Sequence, residues 1–552
     1  MREKSLSNAS PEASLPPFER HAALSILLGF LALISLPYLL APLILPAGSV
    51  WGGLLGSADD QNVHLMWARQ AQDGHFFFRD LFTTESLISG DKPLFWNVLP
   101  ALMGVLTRIF GVDVAFPYHF LRVALAAWGL WQFHQLVLTF TNHEAKWSRA
   151  RIIALFLLAF TTGSGFLASL PGFSRFIFID RADGNFPLMP EAFFALSAFA
   201  YPLNVASFGL LALVFRKTIE KQGAAVAFFA ALLLGNIHTY DALPLLLTLG
   251  IWTLWQRKTG LKVVLAAMAG AILPVIYQFL VFSGSEEFRL KALTPTAAPE
   301  IVSLLVSLAP LLVLAALGWK KWRDFPAAPL LLIWILATFV LIYTPVSFAR
   351  KMLEGVQIPL VVLAAIGLSE ILSRIPSAGA RKIGAALVLG VLALSPTQYL
   401  NWIWNNTLQN NSARWGVLMP PLALSRGDAA ALQFLNQQKE KGAVLCLPYL
   451  GSYVPRASGK WTYAGHWAET LHFKKEKFPN VARFYRGEMS DAEAREFLKI
   501  NRIRWIVEGQ FEREFRGGAP SELNLLWRDV FRSPSDENGV TVVYEVTTEN
   551  GP

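Results

Sequence analysis

The stretch GSADDQNVHLMWARQAQDGHFFFRD, residues 56–80, decides how this chain reads. It follows an apolar run, residues 22–46, which is long enough to cross a bilayer and too long for the core of a cleaved signal peptide. Two adjacent carboxylates, Asp59 and Asp60, therefore stand where the chain should leave the membrane, with His64 one helical turn beyond Asp60 on the same helix face. One use of the aspartates is local: Ser57 as a helix N-cap and Asp60 at the third position give a helix start. The other is chemical: a partly desolvated carboxylate at a membrane surface is a general base for an incoming hydroxyl or amine. His64 could orient Asp60, touch substrate, or share a divalent metal ion with the aspartates, the one cofactor these residues suggest.

Outward from this stretch the chain is apolar. Of its 552 residues 54% are hydrophobic and only 16% charged, against roughly 25% charged in soluble domains. Apolar runs recur, so a polytopic α-helical membrane protein is expected. The net charge of +9 fits basic cytoplasmic loops better than a nucleic-acid partner. A single cysteine, Cys446, excludes an intrachain disulfide and a multi-thiolate metal site.

Five basic clusters, within 146–151, 216–221, 257–262, 320–323 and 374–382, each separate two apolar runs. Placing all five with the N-terminal tail (1–21) in the cytoplasm gives about eleven crossings: 22–46, 116–140, 152–170, 192–215, 224–240, 242–256, 263–282, 301–318, 327–346, 356–373 and 383–400. An odd number leaves the C-terminal segment outside. Residues 94–110 are also apolar, but a full crossing there would put every later basic loop on the wrong side. They are expected as a partly embedded helix inside the first external loop, 47–115. The expected organisation is a membrane domain over 22–400 and an external α/β domain over 401–552, where charges become dense. There 426–439 and 491–500 read as helices, and 443–447, 504–507 and 540–546 as strands.

Several external residues could do chemistry. Lys92, in GDKPL, is either an interfacial anchor or a contact to phosphate. Asp180, Asp183 and Glu191 lie in the second external loop, where Asp183-Gly184-Asn185 also reads as a plain turn. His238 and Asp241 sit in a short turn between apolar runs, where ionisable groups either face a cavity or are simply wet. His119 and Arg122 raise the same question. Arg350 and Lys351 are cations on the side where cations are scarce, suited to a lipid phosphate. Residues 459–467, GKWTYAGHW, are either a sugar-stacking platform or a domain core with its turns. Walker A, HExxH and GxSxG motifs are missing from the sequence.

The Asp59-Asp60 pair after a first crossing, followed by Lys92-Pro93-Leu94-Phe95-Trp96 at the mouth of an embedded segment, resembles the GT-C superfamily of integral-membrane glycosyltransferases. Protein O-mannosyltransferases and lipid A aminoarabinose transferases are its nearest well-known types. The resemblance spans about residues 22–375 in layout. It implies that Asp59 or Asp60 is the catalytic base, and that Lys92 and Arg350 face the phosphate of a polyprenyl-phosphate-linked sugar donor. It implies an acceptor that is a glycan, lipid or protein, inversion at the anomeric carbon, and no nucleotide. Asp180 or Asp183 would match the family's second acid, but both stand earlier than that acid usually does, and Glu191 takes the helix start. A WWD-type motif of oligosaccharyltransferases is missing. Two other classes compete: a transporter or flippase of a lipid-linked glycan, which should show polar groups near the bilayer midplane, and a non-catalytic envelope scaffold. The polar groups here gather at one rim instead. The expected location is the bacterial plasma membrane.

Overall fold

The computed structural model describes residues 15–55, 58–90, 93–161, 201–256, 260–394, 416–418, 420–516, 527–535 and 539–546, with single positions 164, 397, 401, 404 and 405. Lys92, Asp180, Asp183 and Glu191 lie outside these residues, as does Ser57.

The first helix, α1 (Pro17–Ile44), begins on a proline, whose missing N–H costs nothing in a first turn. At about 1.5 Å per residue its 28 residues reach about 42 Å, more than the hydrocarbon thickness of about 30 Å. Phe30, Ile34, Tyr38 and Ala41 form its buried stripe, while Leu24, Leu28, Leu36, Leu39 and Leu43 are exposed. An apolar face turned away from the protein is what a lipid-bathed helix presents.

A strand, β1 (Ser49–Trp51), and helix α2 (Ala58–Gln72) follow. Then come α3 (Val98–Phe110), α4 (Ala115–Phe140), α5 (Ser148–Phe160), α6 (Pro202–Glu220), α7 (Ala224–Ile237), α8 (Thr239–Gln256), α9 (Leu261–Gly284), α10 (Ile301–Leu317), α11 (Ala328–Ile342), α12 (Gln357–Ser373) and α13 (Ala378–Leu392). A helix stands within each of the eleven segments expected to cross. Among the described residues four spans suffice for a bilayer by length and apolarity: Pro17–Ile44, Pro202–Glu220, Leu261–Gly284 and Ala349–Ser373, the last joining a 3-10 segment to α12. Helix α3 has 13 residues, about 20 Å, which is less than the hydrocarbon thickness, and α5 has the same length.

Without a hydrophobic force between helices in lipid, close approach through small residues holds such bundles together. Two contacts show it. A methyl on Gly270 of α9 would run into the Phe228 carbonyl of α7, and one on Gly367 of α12 into the Leu314 carbonyl of α10. Near the start of α1, Glu19 is fully buried and bonds Arg151 of α5 through both carboxylate oxygens, each at 2.7 Å. His119 and Arg122 belong to packing: His119 bonds the Gly53 carbonyl at 2.6 Å, and buried Arg122 bonds the Ile34 carbonyl at 2.7 Å.

The C-terminal segment carries its own core and a five-stranded mixed sheet. Its elements are β2 (Ala423–Ser425), α14 (Arg426–Gln437), β3 (Ala443–Leu445), β4 (Trp461–Thr462), α15 (Phe478–Tyr485), α16 (Asp491–Ile500), β5 (Ile503–Glu508), β6 (Trp527–Arg532) and β7 (Val542–Val546). The sheet order is β4-β3-β5-β7-β6, with β3 parallel to β4 and β5, and β7 antiparallel to β5 and β6. Central β3 is buried throughout, as its continuous apolar run predicts.

This segment is not a loosely tethered module. Strand β2 pairs antiparallel with β1. Arg456 bonds the Gly52 carbonyl at 2.6 Å and Asn62 at 3.1 Å, and Arg69 bonds the Ala457 carbonyl at 2.7 Å. Buried Lys477 bonds Thr84 at 2.8 Å and pairs with Glu85 at 2.9 Å. The segment between α1 and α4 is thus clamped between the helices and the sheet.

Candidate active site

Helix α2 carries the site and is itself mostly buried, though its sequence is polar. Some of its polar groups find partners nearby, as Gln61 donates to the Leu55 carbonyl at 2.6 Å and Arg69 pairs with Asp73 at 3.0 Å, and others reach the C-terminal segment, as Arg69 does to the Ala457 carbonyl. Ala68 and Ala71 receive Gly104 of α3, where any side chain would collide. Asp59 and Asp60 sit in the first turn, where the helix dipole favours negative charge.

The two aspartates have different surroundings. The Asp59 side chain is 13% exposed, that of Asp60 57%. Burial, then the charge of Asp60, pushes the Asp59 carboxyl above the ordinary range. Burial acts on Asp60 in the same sense. The hydrogen bond from His466 and the charge of Lys351 outweigh it and hold the Asp60 carboxyl below the ordinary range. His466 Nε2 lies 3.1 Å from Asp60 Oδ1 and 3.7 Å from Asp59 Oδ2, and the Tyr201 hydroxyl donates to Asp60 Oδ2 at 3.2 Å. Asp60 is therefore an ionised carboxylate, held on two sides and open on a third.

His64 stacks on Trp67, with ring centroids 5.7 Å apart, and meets Tyr201 edge-on at 5.6 Å. Burial, helped by the charges of Lys351 and Lys291, holds it down at about 4, so the ring is neutral near pH 7. Its Nδ1 is buried and has no hydrogen-bond partner among the described residues.

The expected turn at 238–241 is not wet. His238 caps the end of α7 and Asp241 lies in the first turn of α8, both buried. His238 Nδ1 is 3.0 Å from Asp241 and its Nε2 is 3.5 Å from Glu354. Asp241 accepts from Ser207, and Glu354 accepts from Asn204 at 2.7 Å. Lys351 lies 4.7 Å over the Tyr240 ring and 3.5 Å from its hydroxyl. Arg350 is half-buried, and its backbone N–H bonds the Thr296 carbonyl at 3.0 Å.

Of the residues singled out in the sequence, Asp59, Asp60, His64 and Lys351 thus influence one another, and His238 and Asp241 adjoin them through Lys351 and Glu354. Tyr201, Glu354 and His466 were not singled out. His466 lies in the quoted GKWTYAGHW stretch, most of which is core. Tyr463 and Ala464 are core, the His466 ring is buried against Asp60, and Trp467 is 37% exposed. No local pattern could have paired residue 466 with residue 60.

Two trios have ligand atoms within 4.8 Å of one another, Asp59-Asp60-His466 and His238-Asp241-Glu354, and donor types that a divalent cation accepts. Their imidazoles do not favour one. His466 Nδ1 accepts the backbone N–H groups of Ala468 and Glu469, each at 3.1 Å, so its proton sits on Nε2, the nitrogen facing the aspartates. A protonated nitrogen is not a metal ligand. His238 has a carboxylate at each ring nitrogen, which suits a doubly donating imidazolium.

No protein-family model matches the chain, and no curated protein sequence does. Solved structures match at the level of fold. Arabinofuranosyltransferase AftD from mycobacteria aligns with a TM-score of 0.52 at 13% identity, over 97% of this chain and 42% of AftD. The oligosaccharyltransferase of Archaeoglobus fulgidus, solved with a tethered acceptor peptide, aligns at 0.49 and 13% identity, over 96% of this chain and 74% of that one. The Archaeoglobus fulgidus oligosaccharyltransferase AglB, in complex with an inhibitory peptide and a dolichol-phosphate, aligns at 0.45 and 14% identity, over 97% and 75%. Identities this low speak to fold alone, and it is the AftD alignment that carries it. The chain has the fold of the GT-C membrane glycosyltransferases.

Proposed function

We propose that this chain is a glycosyltransferase that moves a sugar from a polyprenyl-phosphate donor to an acceptor hydroxyl or amine, inverting the anomeric centre. The observation that carries the reading is Asp60, an ionised carboxylate open on one face and set near the Lys351 ammonium. The acceptor O–H bonds to Asp60, and its oxygen attacks the anomeric carbon. The bond from that carbon to the phosphate oxygen breaks, and its electron pair leaves with the phosphate. Asp60 is a weak base in isolation, but the attacking oxygen becomes strongly acidic as the new bond forms, and its proton then passes to Asp60. Lys351, with Arg350 and Lys92, offsets the charge growing on the phosphate. Neutral His64 offers Nδ1 to a substrate hydroxyl. Asp59, pushed toward its protonated form, backs Asp60 and does not compete for the acceptor. Asp180, Asp183 and Glu191 are proposed to bind donor hydroxyls, and His238 and Asp241 to hold Lys351 and Glu354 in place. In this reading no step runs through a metal.

The acceptor is a glycan, lipid or protein. The N-terminus is cytoplasmic, and residues 401–552 stand outside a bacterial plasma membrane with the site beneath them. AftD, an arabinofuranosyltransferase by name, belongs to the same class of chemistry. The test is mass analysis of lipid-linked sugars in cells with and without the gene, with Asp60→Asn as the complementing variant. A polyprenyl-phosphate sugar should accumulate in the deletion and in the variant, and clear with the native gene. Unchanged lipid pools in both would refute the reading.

A further inference from the structure

We propose that His466, delivered by the C-terminal segment, is a positioning residue for Asp60, so that the segment completes the site. The inference rests on the reading of Asp60 as the group that meets the acceptor.

The loop around His466 is built to fix its ring. A side chain on Gly465 would strike the Phe82 ring and the Gly451 carbonyl, so the chain passes there only as glycine. The Gly465 N–H bonds Thr470 Oγ1 at 3.1 Å, and that hydroxyl donates to the Phe82 carbonyl at 2.8 Å. The Thr470 N–H returns to the His466 carbonyl at 2.9 Å. The ring is 2% exposed, stands 6.0 Å from the Phe82 ring and stacks on Trp467.

The ring's protons are fixed as well. Two backbone N–H groups point at Nδ1, so a proton there would face two donors and find no acceptor. This opposes both the other neutral tautomer and the imidazolium, and it removes His466 from proton transfer. What remains is a rigid Nε2–H aimed at Asp60 Oδ1 over 3.1 Å. The groups facing the pair are Asp59 and His64 on α2, Tyr201 before α6, Lys351 before α12, and Asp80 beside His466. Among these, His466 Nε2–H on Oδ1 at 3.1 Å, with the Tyr201 hydroxyl on Oδ2 at 3.2 Å, sets which way the carboxylate plane turns. His466 thereby leaves the outer face of Asp60 to the acceptor.

The experiment compares His466→Leu, which removes the donor, with His466→Gln, whose amide Nε2–H reaches the same place. Purified full-length protein in nanodiscs is assayed for release of isoprenyl phosphate from a panel of short-chain isoprenyl-phosphate sugars. Leucine should lower kcat by about tenfold or more with the donor KM little changed, and glutamine should restore most of the loss. Equal damage from both variants, or full activity with leucine, overturns the proposal. Nitrogen-15 spectra of histidine-labelled protein, with His466→Gln identifying the signal, should show the neutral Nε2–H tautomer, shifted in Asp60→Asn. The other tautomer, an imidazolium, or a zinc-induced shift at Nε2 also overturns it. Should native protein release no isoprenyl phosphate from any donor, the functional reading fails by itself, and the spectra still decide the bond.

Discussion

Lys351→Met isolates the charge proposed to face the leaving phosphate. Methionine keeps the unbranched stem and the packing over Tyr240 but removes the ammonium. Within the protein the ammonium lies 3.5 Å from the Tyr240 hydroxyl and 4.7 Å over the same ring, and the charges of Asp60 and Glu354 act on it. Folding should lose about 1–2 kcal/mol. A charge-assisted bond to phosphate is worth about 1.5–3 kcal/mol. At about 1.4 kcal/mol per tenfold, kcat/KM should fall roughly 10- to 150-fold. If the contact forms equally in ground and transition states, the loss appears in KM; if it tightens as charge grows, it appears in kcat. The assay is release of isoprenyl phosphate in nanodiscs over a range of donor concentrations, with thermal unfolding measured alongside. Lys351→Arg should keep most of the activity, since the charge remains. A kcat/KM within about threefold of native for methionine, in a folded protein, would refute the phosphate role.

Three further outcomes are expected. Asp60→Asn keeps an oxygen for the His466 donor and turns an amide N–H toward the Tyr201 oxygen, which can accept it, so it should leave thermal stability nearly unchanged while lowering kcat by about 100-fold or more; Asp59→Asn should cost less, and the reverse order would exchange their roles. Burial, then the charge of Asp428, lifts Glu512 of the C-terminal core to about 7. The folded state therefore holds a proton that the unfolded state gives up near 4.5, and stability should fall as pH rises between these values, by on the order of 3 kcal/mol. Unfolding midpoints across that range should shift less in Asp428→Asn; a midpoint that climbs with pH would contradict the burial of that charge. Glu19→Gln strands the buried Arg151 guanidinium and should cost about 3–5 kcal/mol, visible as a lower unfolding temperature; an unchanged midpoint would mean water reaches that pair.

The helices were legible because each apolar run is bounded by charge or glycine, and the bilayer demands a minimum length. Helix α3 was legible from the apolar run over 94–110. The sheet strands β3 and β5 were legible from continuous apolar runs of strand length. What the sequence could not display was contact across hundreds of residues. Asp60 and His64 share one helix turn, so their proximity follows from the 3.6-residue period. Asp60 and His466 meet only because β1 pairs with β2 and Lys477 reaches Thr84. Glu354 gave no signal of its own, because an acid three to four residues from the cations Arg350 and Lys351 reads as an ordinary solvated pairing. The buried His238 was unreadable for a different reason: the depth of a short turn depends on what packs over it.

The pairing of β1 with β2 bears on how such proteins could be recombined. Two short strands hydrogen-bonded across the seam, with an imidazole from one side resting on a carboxylate of the other, mean that a chimera joining these helices to a foreign C-terminal domain would inherit an unmated strand edge and a carboxylate without its steering donor. Exchange of the C-terminal domain between chains of this architecture should therefore succeed only when the segment from β1 through α2 is grafted with it.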